Sequence, residues 1–239
     1  NYLITDASEI PQVLKEAKYI ATSGRPGPVL IDIPKDILNQ KSDWIEPGPL
    51  ELPGYKPTLD PNPKMIQQAA NLIKNSKKPI LYVGGGIIHS KANQELFDLA
   101  TKFNIPVVTT LMGRGAFPDG HELCLEMPGM HGNYTATTSI QKSDLLIAIG
   151  VRFDDRVTAN PSFFAQNAKV IHADIDPAEI GKVREAQVPI VGDAKSVILG
   201  LIDELQDEEL DTKNWINELN SMKTEHPLSY NQDENGPLK

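Results

Sequence analysis

Four charged residues stand together in the stretch RFDDRV, which directly follows the apolar run DLLIAIGV. Arginine can bind a phosphate or a carboxylate through two parallel hydrogen bonds, so Arg152 and Arg156 suggest anion recognition at the end of a strand. If the chain stays extended, Arg152 and Asp154 share one face. Asp155 then lies on the other face with Phe153, so the two carboxylates are poorly placed to chelate one metal ion. A self-neutralising surface cluster is the alternative, and the residues leave both interpretations open.

Three loops rich in glycine or methionine follow other apolar runs. In GGGIIH, the glycines would let a ligand approach the main chain without a β-carbon in the way. His89 stands where G-x-G-x-x-G has its last glycine, which lowers the odds of an ordinary nicotinamide dehydrogenase. A tight strand-to-helix turn explains these glycines equally well. The loops TTLMGRGAFPDG and MPGMHG offer methionines suited to a flat conjugated ring, or else pack as ordinary loops.

Three aspartates follow the later apolar runs. Asp176 precedes Pro177 and Glu179 in the pattern of a helix N-cap with a capping box, so we interpret it as structural. Asp174 ends a strand and can accept hydrogen bonds from a ribose or an adenine-side amine. Asp193 in VGDAKS is interpreted first as a helix cap and second as a ligand contact.

Alternating strands and helices must position these loops. The predicted strands are PILYVGG, IPVVTT, DLLIAIGV, AKVIHADI and VPIVGD, and ELCLEM is compatible with a minor strand. Helices are predicted from Pro63, from 90 to 103, from 133 to 141, from Pro177 and from 194 to 205. Short, continuously apolar strands between helices indicate a doubly wound α/β fold with a parallel sheet covered on both faces. Ligands of such sheets bind at the carboxyl ends of the strands.

The composition bounds the classes of partner. With 32 acidic and 23 basic side chains, the formal charge of −9 disfavours nucleic acid and anionic membranes as partners. The single cysteine, Cys124, cannot form an internal disulfide, and we interpret it as a small buried residue of a reducing compartment, which predicts a cytoplasmic protein. The alternative, a catalytic thiol, has no activating cation or base nearby in the sequence. The five histidines lack metal-binding spacing, so no metal site is predicted.

Neither end of the chain has the character of a natural terminus. The sequence has no initiator methionine and closes on the polar run SYNQDENGPLK. We therefore expect a longer protein on both sides, and an upstream targeting segment stays open. Before the alternating region, a helix within 6–21 feeds the strand VLIDIP, and a segment with six prolines follows as a linker.

Five long motifs carry a resemblance to a known family. They are SGRPGPVLIDIPKDI, TTLMGRGAFP, MPGMHGNYTA, SDLLIAIGVRFDDRVT and VIHADIDPAEIGK. Together they resemble the catalytic subunit of acetohydroxyacid synthase (acetolactate synthase), a thiamine-diphosphate enzyme, along essentially the whole chain. The resemblance implies a central six-stranded parallel sheet that binds FAD. It divides the chain into the end of a pyrimidine-binding domain (1–38), a proline-rich linker (39–62), the FAD-binding domain (63–208) and a linker toward a pyrophosphate-binding domain (209–239).

The resemblance also implies which residues meet the cofactor and the substrate. The implied FAD contacts are Arg25, Gly85, Thr110, Leu111, Gly129, Met130, His131, Gly150, Val151, Arg152, Phe153, Asp154, Asp174, Ile175 and Asp193. Arg156 is associated with the carboxylate of a second 2-keto acid, and Met130 and Asp155 lie near the entrance of the substrate channel. Two positions depart from the family pattern: Glu126, before MPGMHG, and Ala159, where a glycine commonly follows RVT.

The implied reaction is carried out by the whole protein. Pyruvate is decarboxylated on thiamine diphosphate, and its two-carbon unit is joined to pyruvate or 2-ketobutyrate. The residues that bind thiamine diphosphate and Mg²⁺ are expected outside this segment, which therefore contains no catalytic residue of its own. The expected partners are 2-keto acids, further copies in a homodimer or homotetramer, and a small regulatory subunit. The alternatives are a sister flavin enzyme of the pyruvate oxidase or glyoxylate carboligase type, and a non-catalytic nucleotide-binding module.

Overall fold

The computed structural model describes residues 1–206 and 208–229, and it divides the chain into two compact units, Asn1–Leu59 and Asp60–Lys239. In the first unit, strands β1 (Tyr2–Leu3) and β2 (Ile31–Asp32) form a parallel pair. Helix α1 (Ile10–Thr22) connects them, and α2 (Lys35–Leu38) follows. A 3₁₀ turn with an Asp6 capping box precedes α1, so the predicted helix is present but begins later than expected.

The second unit contains the predicted parallel sheet. Its strands are β3 (Pro79–Val83), β4 (Val107–Thr109), β5 (Leu145–Ile149), β6 (Lys169–Asp174) and β7 (Val188–Val191). All pairings are parallel, in the order β4-β3-β5-β6-β7. The chain thus moves outward in one direction from β3 to β4 and in the other from β5 to β7. The doubly wound α/β fold is confirmed.

Within the described residues the central sheet has five strands, where the resemblance implied six. The segment ELCLEM lies along the free edge of β4, where Cys124 forms an isolated parallel bridge with Val107. The segment bends at both ends of this bridge. The Cys124 N–H bonds back to the His121 carbonyl at 2.9 Å, and Glu126 adopts a left-handed φ of 66°. Only a minor, bridge-length pairing therefore forms.

Helices cover both faces of the sheet. They are α3 (Pro63–Lys74), α4 (Gly85–His89), α5 (Asn93–Phe103), α6 (Tyr134–Lys142), α7 (Asp155–Thr158), α8 (Ala194–Leu205) and α9 (Lys213–Glu225). Asn62 caps α3 by accepting the Lys64 N–H, as the Asn-Pro pair predicts. The expected helix over 90–103 starts only at Asn93, because Lys91 adopts a φ of 54°. The expected helix from Pro177 is instead a series of turns.

Two apolar cores lie on opposite faces. One packs α3, α5 and α8 against the sheet, and the other packs α6 and α9. Helix α9 lies in the segment predicted to be a linker, and it buries Trp215, Leu219 and Met222. These side chains are spaced by four and three residues, so one face of the helix is apolar. Residues 230–239 of that expected linker lie outside the described part. No helix within 1–206 or 208–229 is long and apolar enough to cross a membrane.

Candidate functional site

The loops at the carboxyl ends of the strands form one connected edge. From β4 toward β7, four hydrogen bonds join neighbouring loops and strands. They run from Thr110 N to Val83 O (2.9 Å), Gly84 N to Ile149 O (3.1 Å), Gly150 N to Ala173 O (2.8 Å) and Gly192 N to Asp174 O (3.1 Å). We call this the carboxyl edge. Every predicted site residue of the second unit lies on it.

The triple glycine lies where the winding of the sheet reverses, between β3 and β5. The Cα of Gly86 lies 2.6 Å from where a β-carbon on Gly150 would be. A β-carbon on Gly84 would overlap the Gly150 carbonyl oxygen. Two of the three glycines are therefore explained by two loops crossing in contact. Gly85 differs, since a β-carbon there would meet only Met112, at 3.4 Å. Gly85 alone keeps the interpretation of a ligand cradle.

The loop after β4 presents apolar side chains to solvent. Thr110 caps a 3₁₀ turn by accepting the Gly113 N–H, which leaves Leu111 and Met112 pointing outward at 70% and 71% exposure. A surface with so much exposed apolar area is typical of a binding site. This position fits the predicted contact with a flat ring.

The Met-Gly loop, residues 127–132, packs against α7. Gly129 has a φ of 99° and leaves no room for a β-carbon, which would lie 2.6 Å from the Arg156 carbonyl oxygen. The Met130 N–H donates to that same oxygen at 3.2 Å, and the Gly129 N–H donates to Thr137 Oγ1. Met130 and His131 are exposed as a result. The structure thus brings the predicted residues of this loop beside the RFDDRV cluster.

The RFDDRV stretch does not continue as an extended strand, so that prediction is wrong. Phe153 turns the chain with a φ of 53°, and α7 begins two residues later with Asp154 as its N-cap. Arg156 then pairs with both carboxylates, at 2.5 Å from Asp155 and 3.6 Å from Asp154. Arg152 still lies 3.8 Å from Asp154, because the turn at Phe153 keeps the two side chains close together. The cluster is self-neutralising and also faces solvent.

The pairing within the cluster sets its proton affinities. Hydrogen bonding to the Arg156 guanidinium lowers the pKa of Asp155, and the same pair raises the pKa of Arg156. Asp155 and Arg156 therefore both stay charged across the physiological pH range. A substrate carboxylate or a phosphate would have to displace Asp155, or share Arg156 with it, to bind the guanidinium through two parallel hydrogen bonds.

Val151 and Phe153 do not offer their side chains to a ligand. Both are at least 98% buried, and Phe153 packs against Tyr82, Phe164 and His172 with ring centroids 5.7, 6.1 and 5.0 Å away. Contact between these two residues and a cofactor would therefore be through the main chain. The burial of Phe153 also explains the turn, because it anchors the loop while Arg152 and Asp154 project outward.

The three aspartates after β6 and β7 shape the remainder of the edge. Asp174 is 8% exposed and accepts the Asp176 N–H at 2.9 Å, with Ile175 half-buried beside it. Asp176 accepts the Ala178 N–H and caps a turn rather than a helix. Asp193 caps α8 through the Lys195 N–H, which confirms its structural interpretation.

Arg25 is the one predicted site residue in the first unit. It is exposed and follows Gly24, whose φ is 56°, in the turn after α1. An open groove of about 400 Å³ in the same unit is lined by Tyr19, Tyr55 and residues 50–53 and 56. The groove contains none of the predicted site residues, so we assign it no role. Within 1–206 and 208–229, no three His, Cys, Asp or Glu side chains cluster to hold a metal ion.

Sequence reasoning missed His172, which lies in the middle of the site's supporting structure. Its ring is 1% exposed, and Nε2 lies 2.8 Å from the Val151 carbonyl oxygen. The Gly181 N–H donates to Nδ1 at 3.3 Å. The sequence signal for it was a histidine within the otherwise apolar run VIHA of a predicted buried strand. A polar side chain at such a position needs hydrogen-bond partners inside the protein.

Comparison with known proteins identifies the family. The sequence profile of the thiamine pyrophosphate enzyme central domain matches residues 66–201, which contain the whole sheet. The chain belongs to the thiamine pyrophosphate enzymes. The carboxyl edge described above is thus one edge of the sheet in a thiamine pyrophosphate enzyme central domain.

Three curated relatives extend the match to nearly the whole chain. An acetolactate synthase large subunit of Corynebacterium glutamicum is 50% identical over 235 residues, covering 97% of this chain and 38% of the relative. An acetolactate synthase of Mycobacterium leprae is 52% identical over 242 residues, covering 100% and 39%. The chloroplastic acetolactate synthase 1 of Nicotiana tabacum is 48% identical over 238 residues, covering 96% and 35%. The chain thus spans about two fifths of the length of these thiamine pyrophosphate enzymes.

Proposed function

We propose that this chain is the central portion of an acetolactate synthase large subunit, and that its carboxyl edge binds FAD. The observation that carries the proposal is the identity of about half with acetolactate synthases over nearly the whole chain. The geometry supports it, because the predicted flavin contacts of the second unit lie on one edge of the sheet.

The residues present fit a flavin dinucleotide. Leu111, Met112 and Met130 expose apolar surface suited to the isoalloxazine ring, and Gly85 leaves room for close approach. Arg152 exposes 55% of its side chain and is held loosely, at 3.8 Å from Asp154, so its guanidinium can bind a pyrophosphate. Asp174 and Asp193 end the edge and are the proposed contacts for the ribose and adenine side.

Arg156 is the proposed anchor for the carboxylate of the second 2-keto acid. Its guanidinium is 73% exposed, and Asp155 holds it toward solvent at 2.5 Å. The planar fork of arginine suits a carboxylate better than the point charge of lysine does. FAD supplies no net redox chemistry in the proposed reaction, and thiamine diphosphate, bound elsewhere in the protein, supplies the electron sink. The proposed role of this chain is to bind FAD and to orient the second 2-keto acid.

The whole protein is proposed to join pyruvate to pyruvate or 2-ketobutyrate, the first reaction that branched-chain amino acids such as valine and isoleucine share. Thiamine diphosphate with Mg²⁺, a homo-oligomer and a small regulatory subunit complete the proposed enzyme. The test is turnover of pyruvate to acetolactate by the purified full-length protein, followed together with oxygen uptake. We expect acetolactate without oxygen uptake. Oxygen consumption in step with pyruvate loss would instead show an oxidase.

FAD binding is tested separately with Arg152→Ala. The variant removes a charge-assisted hydrogen bond, so we expect the FAD dissociation constant to rise at least about tenfold. The control is Lys169→Ala, which removes the same charge from an exposed position at the opposite end of the sheet. Flavin fluorescence titration measures both variants. An unchanged FAD affinity in Arg152→Ala would contradict the proposed pairing between Arg152 and the pyrophosphate.

A further inference from the structure

His172 connects two loops that bear proposed FAD contacts. From the middle of β6, its ring reaches the Val151 carbonyl in the loop before α7 on one side. On the other side it reaches the Gly181 N–H, at the end of the turns that follow Asp174. The two contacts lie 21 and 9 residues away in sequence.

The hydrogen bonds define the state of the ring. Because the Gly181 N–H is a donor, Nδ1 must accept, and the proton of the neutral ring must sit on Nε2. Nε2–H then donates to the Val151 carbonyl oxygen. Burial lowers the pKa of His172, which agrees with a neutral ring. Both ring nitrogens are thus satisfied only in one tautomer.

The ring also supports the strained turn of the RFDDRV stretch. Phe153 has a left-handed φ of 53°, a conformation that is strained for a non-glycine residue and persists only where surrounding contacts hold it. His172 packs edge-on against Phe153 at 5.0 Å and bonds the carbonyl two residues earlier. These two contacts fix the residues on either side of Arg152.

We propose that His172 is a positioning residue for the flavin site, acting through the main chain on both sides of it. The inference rests on the proposed FAD function of the carboxyl edge. His172 touches no ligand, and its effect on binding is transmitted by the loop that carries Arg152 and Asp154.

The test uses three substitutions in the full-length protein. His172→Phe keeps an aromatic ring against Phe153 but loses both hydrogen bonds. His172→Gln can place its amide nitrogen near the position of the histidine Nε2 and keep the hydrogen bond to the Val151 carbonyl. We expect the FAD dissociation constant to rise about tenfold in the Phe variant and less than about threefold in the Gln variant. The matched control is Ser143→Ala, which loses one buried hydrogen bond, to the Ile140 carbonyl, at the opposite edge of the sheet.

A double-mutant cycle distinguishes positioning from general destabilisation. If His172 acts through Arg152, the effect of His172→Phe on FAD affinity shrinks in an Arg152→Ala background. Additive effects, or wild-type FAD affinity in His172→Phe, would overturn the inference.

Amide hydrogen exchange of the flavin-free proteins gives a second readout. We expect exchange over 150–158 and 175–181 to rise about tenfold in His172→Phe and to stay at the wild-type rate in Ser143→Ala. Wild-type rates in His172→Phe would overturn the positioning role whether or not FAD binds. Absence of FAD binding by the wild-type protein would count against the proposed function instead.

Discussion

The two edges of the central sheet are built in opposite ways. At the amino edge, Asp144 accepts hydrogen bonds from the side chain of Ser76 and from the N–H groups of Lys77 and Lys78. Glu218 of α9 pairs with Lys78 at 2.8 Å and with Lys142 at 3.0 Å. The carboxyl edge instead exposes methionines and arginines on loops with left-handed residues. The amino edge is held by contacts between distant segments, whereas the carboxyl edge exposes apolar and charged side chains.

This difference assigns separate tasks to the charges. The pKa of Glu218 is lowered, first by its hydrogen bond to Lys78, so its carboxylate stays ionised and fastens α9 to the segment that leads into β3. Arg156 is also paired, but with its own sequence neighbour, Asp155, and both remain exposed. The half-buried Glu218–Lys78 pair connects two distant segments, whereas the fully exposed Arg156–Asp155 pair adds little to stability and mainly orients the arginine. Substitutions at the two edges should therefore affect different measurements.

The largest effect on stability is expected at the amino edge, from Trp215→Ala. Trp215 is 1% exposed, donates to the Pro79 carbonyl at 3.2 Å and lies under the Lys78 ammonium. Truncating such a side chain costs about 3–5 kcal/mol of unfolding free energy. Chemical denaturation measures it, with Trp44→Ala as the control at a tryptophan that is 74% exposed. Equal losses in both variants would contradict the burial of α9.

The next effect is expected at the carboxyl edge, from Gly84→Ala. The added methyl group would overlap the Gly150 carbonyl and lie 2.9 Å from Val151 Cγ1, so the crossing loops must separate. We expect a loss of about 1–3 kcal/mol in stability together with weaker FAD binding, whereas Trp215→Ala leaves the affinity of the folded fraction unchanged. Gly120→Ala is the control, since its β-carbon would meet nothing within 4 Å. Wild-type FAD affinity in Gly84→Ala would show that the contact between the two crossing loops does not affect FAD binding.

A smaller and opposite effect is expected from Ala159→Gly. Ala159 follows α7 with φ 49° and ψ −110°, a conformation that glycine adopts without strain. The substitution should stabilise the protein by about 1 kcal/mol. Ala178→Gly, at an exposed alanine without a left-handed φ, should not stabilise it. Thermal unfolding compares the two, and a destabilised Ala159→Gly variant would show that the loop is not strained there.

The smallest effect is expected in the pH dependence of stability. Burial lowers the pKa of His172 below its ordinary 6.5, and the hydrogen bond to the Val151 carbonyl and the carboxylates of Asp174 and Glu179 only partly oppose this. The unfolded chain therefore binds the proton more readily. The contribution of the neutral ring is complete above pH 6.5 and is lost as pH falls through the folded pKa. Denaturation at pH values above and below 6.5 should show that the unfolding free energy changes less with pH in His172→Gln than in the wild-type protein. An equal pH dependence in the two proteins would contradict the neutral, buried ring.

Much of the fold could be predicted because local rules and burial agree. Continuous apolar runs gave the five strands, and Asn62 and Asp193 gave two helix caps that the structure confirms. Helix α9 was missed because its acidic approach resembles a linker, although Trp215 and Leu219 are spaced as on one helical face. This spacing of apolar residues alone would have been enough to predict helix α9.

The geometry of the carboxyl edge was less predictable than the positions of its loops in the sequence. The turn at Phe153 depends on burial among side chains from three other segments, which no local pattern shows. The role of two glycines in the triple glycine depends on contact with Gly150, more than 60 residues away in sequence. His172 was missed for the same reason. Tertiary contacts, rather than local preferences, shape this edge.

Amide hydrogen exchange of the full-length protein with and without FAD tests most directly whether the carboxyl edge is the flavin site. We expect FAD to slow exchange in the loops after β3, β4, β5 and β6 and in the Met-Gly loop. Exchange at the amino edge, around 76–78 and 142–144, should not change. Protection confined to the amino edge, or absent from all these loops while FAD is bound, would contradict the account.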